Sequence, residues 1–253
     1  SINTKIQKTM KTITTSIIIN APITQVWNVF TDFENYENWN PFIKSVKGKV
    51  KKKVRIILED STRSEALSRL KKIPDAQLIG HLFSQFYQNE LIKFRSTTAM
   101  GDLTLRISAT SMEKARIILR RLMWNLNDES GGIGWGSPEA MGDILSKSQE
   151  LAGEFKSILF SYLDTGGNYI EHEILQRTAR WGLGTYLEAA PSDLTQITLN
   201  QLHSYLDSPD PLKRGYAVRA LINADKFDCR IIPDIRTDNT PIDIYTGWNF
   251  VGT

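Results

Sequence analysis

The sequence predicts a mainly α protein: an α-solenoid of stacked helical pairs, preceded by a small amino-terminal α+β segment and followed by an extended carboxy-terminal tail. Three observations carry this reading. Long stretches place apolar residues at helical spacing, small-residue motifs recur about every 40 residues, and both ends of the chain abandon that periodicity. The expected division is 1–58, 59–225 and 226–253.

Composition bounds what the later motifs can mean. The 253 residues are 41% hydrophobic and 23% charged, enough apolar material for a core in an ordinary globular chain. No apolar run reaches the roughly 18 to 20 residues needed to span a bilayer, and the first residues lack the order of a secretory signal, so a cytoplasmic protein is expected. Met10 reads as a natural start. One cysteine, Cys229, excludes an internal disulfide, and three scattered histidines give no metal-ligand spacing; neither a metal nor a cofactor is expected. The net charge of +3 hides an asymmetry: residues 1–55 carry ten basic and three acidic side chains, leaving 21 basic against 25 acidic in the rest. A mildly acidic body disfavours nucleic acid, whose affinity comes mainly from phosphate neutralisation. The basic run KSVKGKVKKKVR at 44–55 reads as a solvated strand edge or linker.

At the amino-terminal end, Ile17 to Ile19 form a β-branched run that predicts a strand, and Asn20-Ala21-Pro22 predicts a helix start. Val26, Trp27 and Phe30 give that helix an apolar side, and Trp39-Asn40-Pro41 stops a second short turn before another extended stretch. The stretch NAPITQVWNVFTDFENYENWNPF, in this strand, helix, helix and strand order, resembles the opening of the START-like polyketide cyclase and dehydrase superfamily. The resemblance covers about 40 residues and ends near Val50. It implies a curved sheet around a long helix with apolar ligands between, but the chain beyond Val50 is helical in pattern.

From Ser61 to Asp225 amphipathic helices succeed one another. In SMEKARIILRRLMWNLN, residues Ala115, Ile118, Leu119, Leu122, Met123 and Leu126 fall on one helical face. Leu151, Phe155, Ile158, Leu159 and Tyr162 repeat that arithmetic. AMGDL from Ala99 recurs as AMGDI from Ala140, as GLGTY from Gly182 and as ALINA from Ala220. Small residues at these positions predict that one helix of each pair approaches its partner closely.

The helices LIKFRSTTAMGDL, ILQRTARWGLGTYL and DPLKRGYAVRALINA resemble HEAT-like repeats of the phycobilisome-lyase type. RRLMWNLNDESGGIGWGSPEAMGDIL resembles a family of uncharacterised bacterial and archaeal proteins built from such repeats. Over about 61–225 the resemblance implies a right-handed stack of helix pairs used as a scaffold, without requiring an enzyme. Bilin attachment does not transfer, since no paired residues here would carry it.

The loop NDESGGIGWGSPEA lacks the lysine and preceding strand of a phosphate-binding fingerprint. Its glycines read as a helix stop and an irregular path, with Ser137 capping the next helix, Pro138 in its first position and Glu139 facing the positive dipole end. Arg120, Arg121, Trp124, Asp128, Glu129, Trp135, Arg177, Arg180 and Trp181 are the candidate partner-binding residues, since arginines beside tryptophans can line a groove. The alternative is packing between repeats, with the arginines paired to acids on the next repeat. No catalytic residues stand out, and His172 reads as an isolated surface side chain at a helix start. In the tail, Ile231-Ile232 and Ile242, Ile244 flank a polar turn at Asp238-Asn239, predicting two short extended segments that cap the last repeat with Trp248 and Phe250.

The expected function is a noncatalytic scaffold for an unidentified protein partner. Two alternatives stay open: a HEAT-like nucleic-acid binder or DNA glycosylase-like enzyme, and apolar small-molecule binding by the START-like segment.

Overall fold

The computed structural model describes residues 19–23, 25, 26, 29, 49–127, 134–228, 230 and 238–252. The chain falls into two compact units, Ser1–Lys49 and Val50–Thr253. In the first, Ile23, Gln25, Val26 and Val29 are helical, and the Pro22 carbonyl accepts the amides of Gln25 (2.9 Å) and Val26 (3.1 Å). The helix start expected at Asn20-Ala21-Pro22 is therefore present. The strand expected from Ile17 falls largely outside the described residues.

The described part of the second unit is mainly helical, with a small two-stranded sheet. Its helices are α1 (Lys49–Asp60), α2 (Arg63–Leu70), α3 (Asp75–Gln85), α4 (Glu90–Ser108), α5 (Met112–Leu126), α6 (Ser137–Lys147), α7 (Gln149–Ser161), α8 (Glu173–Ala189), α9 (Gln196–Ser204) and α10 (Pro211–Asn223). The basic run expected as an extended edge or linker is helical from Lys49 onward. Val54, Ile57 and Leu58 stand at helical spacing and are fully buried, while Lys51, Lys52 and Lys53 stay in solvent. Burying that stripe outweighs repulsion among solvated lysines.

Side-chain caps begin several of the helices. Asn89, Ser111, Ser148, Thr195 and Asp210 each accept a backbone N–H of the helix they precede, and Asp210 is followed by proline. At α6 the expected cap is displaced by one residue. Gly136, in the left-handed region at φ 73°, is the cap, and Ser137 is the first helical residue.

The packing has a simple order. α4 lies against α6, α6 against α8 and α8 against α10, while α5 and α7 lie against α4 and α6, and α9 against α10. The apolar stripes predicted for α5 and α7 face this core: Ala115, Ile118, Leu119, Leu122, Leu151, Phe155 and Leu159 are buried. The close approach attributed to small residues is real, but it falls between successive members of the α4, α6, α8, α10 row. A Cβ on Gly142 would overlap the Gly182 backbone, and one on Gly182 would overlap the Pro138 carbonyl. One on Gly184 would come within 3.3 Å of the Ala220 Cα. Ion pairs tie neighbouring helices along the outer surface: Arg116 to Glu154 (2.7 Å), Lys156 to Asp193 (2.9 Å), Arg177 to Asp210 (2.5 Å) and Lys213 to Glu173.

The tail forms an antiparallel hairpin, β1 (Asp243–Thr246) with β2 (Asn249–Gly252), in the register Asp243↔Gly252 to Thr246↔Asn249. Its turn is Gly247-Trp248, and the positive φ of Gly247 (78°) supplies the left-handed step that a two-residue turn requires. Of the two extended segments expected to flank Asp238-Asn239, the second is present, since β1 contains Ile244; Ile231-Ile232 lie outside the described residues. The hairpin also reaches past the last helix. Tyr245 stacks on Phe94 of α4 (4.9 Å), Trp248 donates its indole N–H to the Ser61 carbonyl (2.8 Å), and Trp181 of α8 packs against Tyr245. Arg95 of α4 locks this arrangement, donating to the carbonyls of Leu58, Glu59 and Trp248 and to the Asn249 side chain.

Gly142→Ala is expected to destabilise the fold by about 3 kcal/mol, because the new methyl meets backbone that cannot rotate away. Gly153→Ala, on an exposed position of α7 with nothing within 4 Å, is expected to stabilise it by about 1 kcal/mol through helix propensity. Urea denaturation midpoints of the two variants check both signs.

Candidate functional site

A cavity of about 660 Å³ opens along the α4, α6, α8, α10 row where the hairpin crosses it. Each helix contributes one face. Asp143 and Lys147 of α6, Trp181 and Thr185 of α8, and Arg219 and Asn223 of α10 are three pairs spaced four residues apart, so each pair projects from one side of its helix. Trp181 and Arg219 are 38 residues apart, and the same interval relates Asp143 to Trp181, and Lys147 to Thr185 to Asn223. Thr98 of α4, Arg63 of α2 and the hairpin residues Tyr245, Thr246 and Gly247 complete the wall.

The electrostatics are those of a polar, partly dehydrated site. Asp143 is 7% exposed and accepts from Lys147 Nζ at 2.5 Å. Burial pushes its carboxyl above the usual range, and the Lys147 ammonium opposes that shift. The Arg219 guanidinium donates to the Trp181 carbonyl (3.1 Å) and Thr185 Oγ1 (3.2 Å), and its centre lies 5.1 Å from the Trp181 ring. Burial lowers its pKa, and Glu188, 3.7 Å away, works in the opposite sense. Tyr245 shares a hydrogen bond with Thr98 (3.1 Å), and burial raises its phenol above the ordinary value. Arg63 is exposed at the mouth and makes no ion pair within 4 Å among the described residues.

A second polar cluster sits at the amino-terminal ends of α4 and α6. Lys93, 2% exposed, donates to both Glu90 oxygens at 2.8 Å and lies 3.5 Å from Glu139 Oε1. Glu139 is completely buried, and neither of its oxygens has a hydrogen-bond partner. Desolvation raises its pKa against the pull of Lys93. Helix-end chemistry alone puts Glu139 at the positive end of α6; its complete removal from water is a product of the packing around that end.

The residues singled out from sequence divide among several environments. Trp181 lines the cavity, whereas Trp124 stands 74% exposed on α5 and Trp135 packs edge-on against His172 (5.4 Å). Arg120 pairs with Glu113 (2.6 Å), Arg121 lies over the Phe83 ring (4.0 Å), and Arg177 pairs with Asp210. Arg180 is fully buried over the Tyr205 ring (3.3 Å) and donates to the Gln176 carbonyl (2.5 Å). Asp128 and Glu129 lie outside the described residues. His172 is exposed at the start of α8, as expected. The cavity residues Asp143, Lys147, Arg219 and Asn223 were not singled out; the signal that finds them is the recurrence of four-residue pairs at the 38-residue interval. Among the described residues no group of three or more His, Cys, Asp or Glu is placed to hold a metal ion, and no helix is long and apolar enough to cross a membrane.

Residues 10–73 match a protein family described as polyketide cyclase / dehydrase and lipid transport. That match extends the START-like resemblance past Val50, through α1 and α2. The chain is also similar to an uncharacterised protein of Archaeoglobus fulgidus, 27% identical over 119 residues, which is 47% of this chain and 57% of that protein. The chain therefore spans little more than half the length of that relative. No solved structure matches.

Because the folded pKa of Glu139 is raised, the native state holds this proton more tightly than the unfolded chain, and the wild type loses stability as pH rises above the ordinary carboxylate range. The stability difference between Glu139→Gln and wild type is therefore expected to shift progressively in favour of the variant from pH 4 to pH 7, as read by urea denaturation across that range.

Proposed function

We propose that the chain is a noncatalytic HEAT-like repeat scaffold, an α-solenoid whose outer helices bind a protein partner. The observation that carries this reading is the ordered packing of α4, α6, α8 and α10, with equivalent cavity positions recurring 38 residues apart. A chain that repeats one helix pair extends its surface with each unit instead of enclosing a single centre. Cross-helix ion pairs at a similar interval, such as Arg116 with Glu154 38 residues on, fit the same repeat.

The partner-binding surface is assigned to α5. Ile117 (54% exposed) and Trp124 (74% exposed) stand seven residues apart on one helical face. Arg120 and Arg121 lie between them along the helix. An exposed tryptophan beside arginines is the composition of an interface anchor. The glycosylase-like alternative is weaker, since the sole tryptophan among the cavity-lining residues, Trp181, is 3% exposed and leaves little ring face for a base to stack on.

The test compares affinity capture of the intact chain and its Trp124→Asp variant from extracts of the source organism, with and without nuclease. A stoichiometric protein partner, retained after nuclease treatment and lost from the variant, supports the scaffold. Capture that vanishes with nuclease, or that is indifferent to Trp124, overturns this assignment.

A further inference from the structure

We propose that the cavity crossed by the hairpin is a binding site for a small organic carboxylate, received by the Arg63 guanidinium at its mouth. The site has the dimensions of a ligand pocket: about 660 Å³ falls within the range that holds small molecules. Its walls come from five helices and the hairpin, so it is built by the tertiary fold and not by one loop.

Charge decides the ligand class. Three cations, Arg63, Lys147 and Arg219, face two acids, Asp143 and Glu188. Lys147 is taken up by Asp143 at 2.5 Å, and Arg219 is held by a carbonyl, a hydroxyl and Glu188. Arg63 makes no ion pair within 4 Å among the described residues, although its charge also acts on Asp143, and it is the exposed cation of the lining. The surplus is a single positive charge, which a carboxylate monoanion cancels. A phosphate dianion would overshoot it inside a partly dehydrated pocket beside Asp143. The planar guanidinium also matches the two oxygens of a carboxylate in parallel.

The rest of the wall specifies the remainder of the ligand. Thr98, Thr185 and Asn223 line the wall with polar groups already bonded to Tyr245, the Trp181 carbonyl and the Gly184 carbonyl, beside the buried rings of Trp181 and Tyr245. A short carbon chain carrying a second polar group suits that mixture. The carboxylate can belong to a free acid or to a glutamate side chain of a bound peptide; the recognition chemistry is the same.

Calorimetric titration of the intact chain with 4-hydroxybutyrate, with a blocked glutamate peptide and with inorganic phosphate tests the proposal. Saturable binding of 4-hydroxybutyrate or of the peptide is expected, weakened about tenfold to a hundredfold by Arg63→Gln and abolished by Arg63→Glu. Arg63 is exposed, so both variants are expected to fold, which their circular dichroism and urea midpoints establish independently. Binding of 4-hydroxybutyrate identifies a free acid as the source, and binding of the peptide alone identifies a side chain. Tighter binding of phosphate than of either carboxylate, carboxylate binding indifferent to Arg63, or no binding of any probe at tens of millimolar overturns the proposal.

Discussion

The arrangement of the second unit depends on how closely α6 and α8 approach at Gly142 and Gly182. With no side chain on either residue, the two backbones meet directly, the Gly182 carbonyl filling the position a Gly142 Cβ would take. Most helix pairs are held apart by interdigitating side chains at 8 to 10 Å between axes. Removing the side chains at one crossing lets the flanking ones, Ala140, Met141, Ala179 and Leu183, close around it, and all four are buried. The same approach recurs with less overlap at Gly184 against Ala220. The cavity sits where that row carries polar side chains and the hairpin bridges across.

The unit buries charge at a cost that is offset in some places and left standing in others. Arg95 is 7% exposed yet spends its guanidinium on three carbonyls and one amide oxygen, two of those carbonyls at the open end of α1 where a cation is favoured. Arg180 has an aromatic face and one carbonyl, leaving Nε and Nη2 without partners. Glu139 has Lys93 as its nearby cation, at a separation too long for a good hydrogen bond, and the Glu90 charge opposes it. A buried ion pair of that quality rarely stabilises relative to apolar packing, but removing one member exposes the full desolvation cost of the other. Lys93 and Glu139 thus fix the relative position of α4 and α6 more than they strengthen it.

Much of this fold was legible in the sequence, because helical stripes need only spacing to be read. Ala115, Ile118, Leu119 and Leu122 were placed correctly by that arithmetic, and so was the recurrence of small residues in AMGDL and its relatives. What could not be read was direction. Spacing says that Gly142 approaches something, but only the packing says that the partner is the next helix in the row and not the other helix of its own pair. The basic run misled for a related reason: seven lysines and arginines mask a three-residue apolar stripe at Val54, Ile57 and Leu58. The pairing of β1 with β2 was not read, because nothing local to Gly247 says that Tyr245 and Phe250 on either side find Phe94. The cavity was hidden deepest, since its residues come from several separate elements and none forms a local motif.

The hairpin gives that cavity a property the helices alone would not. Successive helices of the row are held by neighbours close in sequence, whereas Trp248 bonds to Ser61 across 187 residues and Arg95 reaches Asn249 across 154. Such contacts form only when both ends of the unit are in place, because each closes a long loop whose entropy must be offset at once. Tyr245 and Gly247 are thus the part of the cavity wall that depends on these long-range contacts. Anything bound between them and Arg219 would touch both the helical row and its strap, and its binding free energy would stabilise the closed unit as a whole rather than one helix of it.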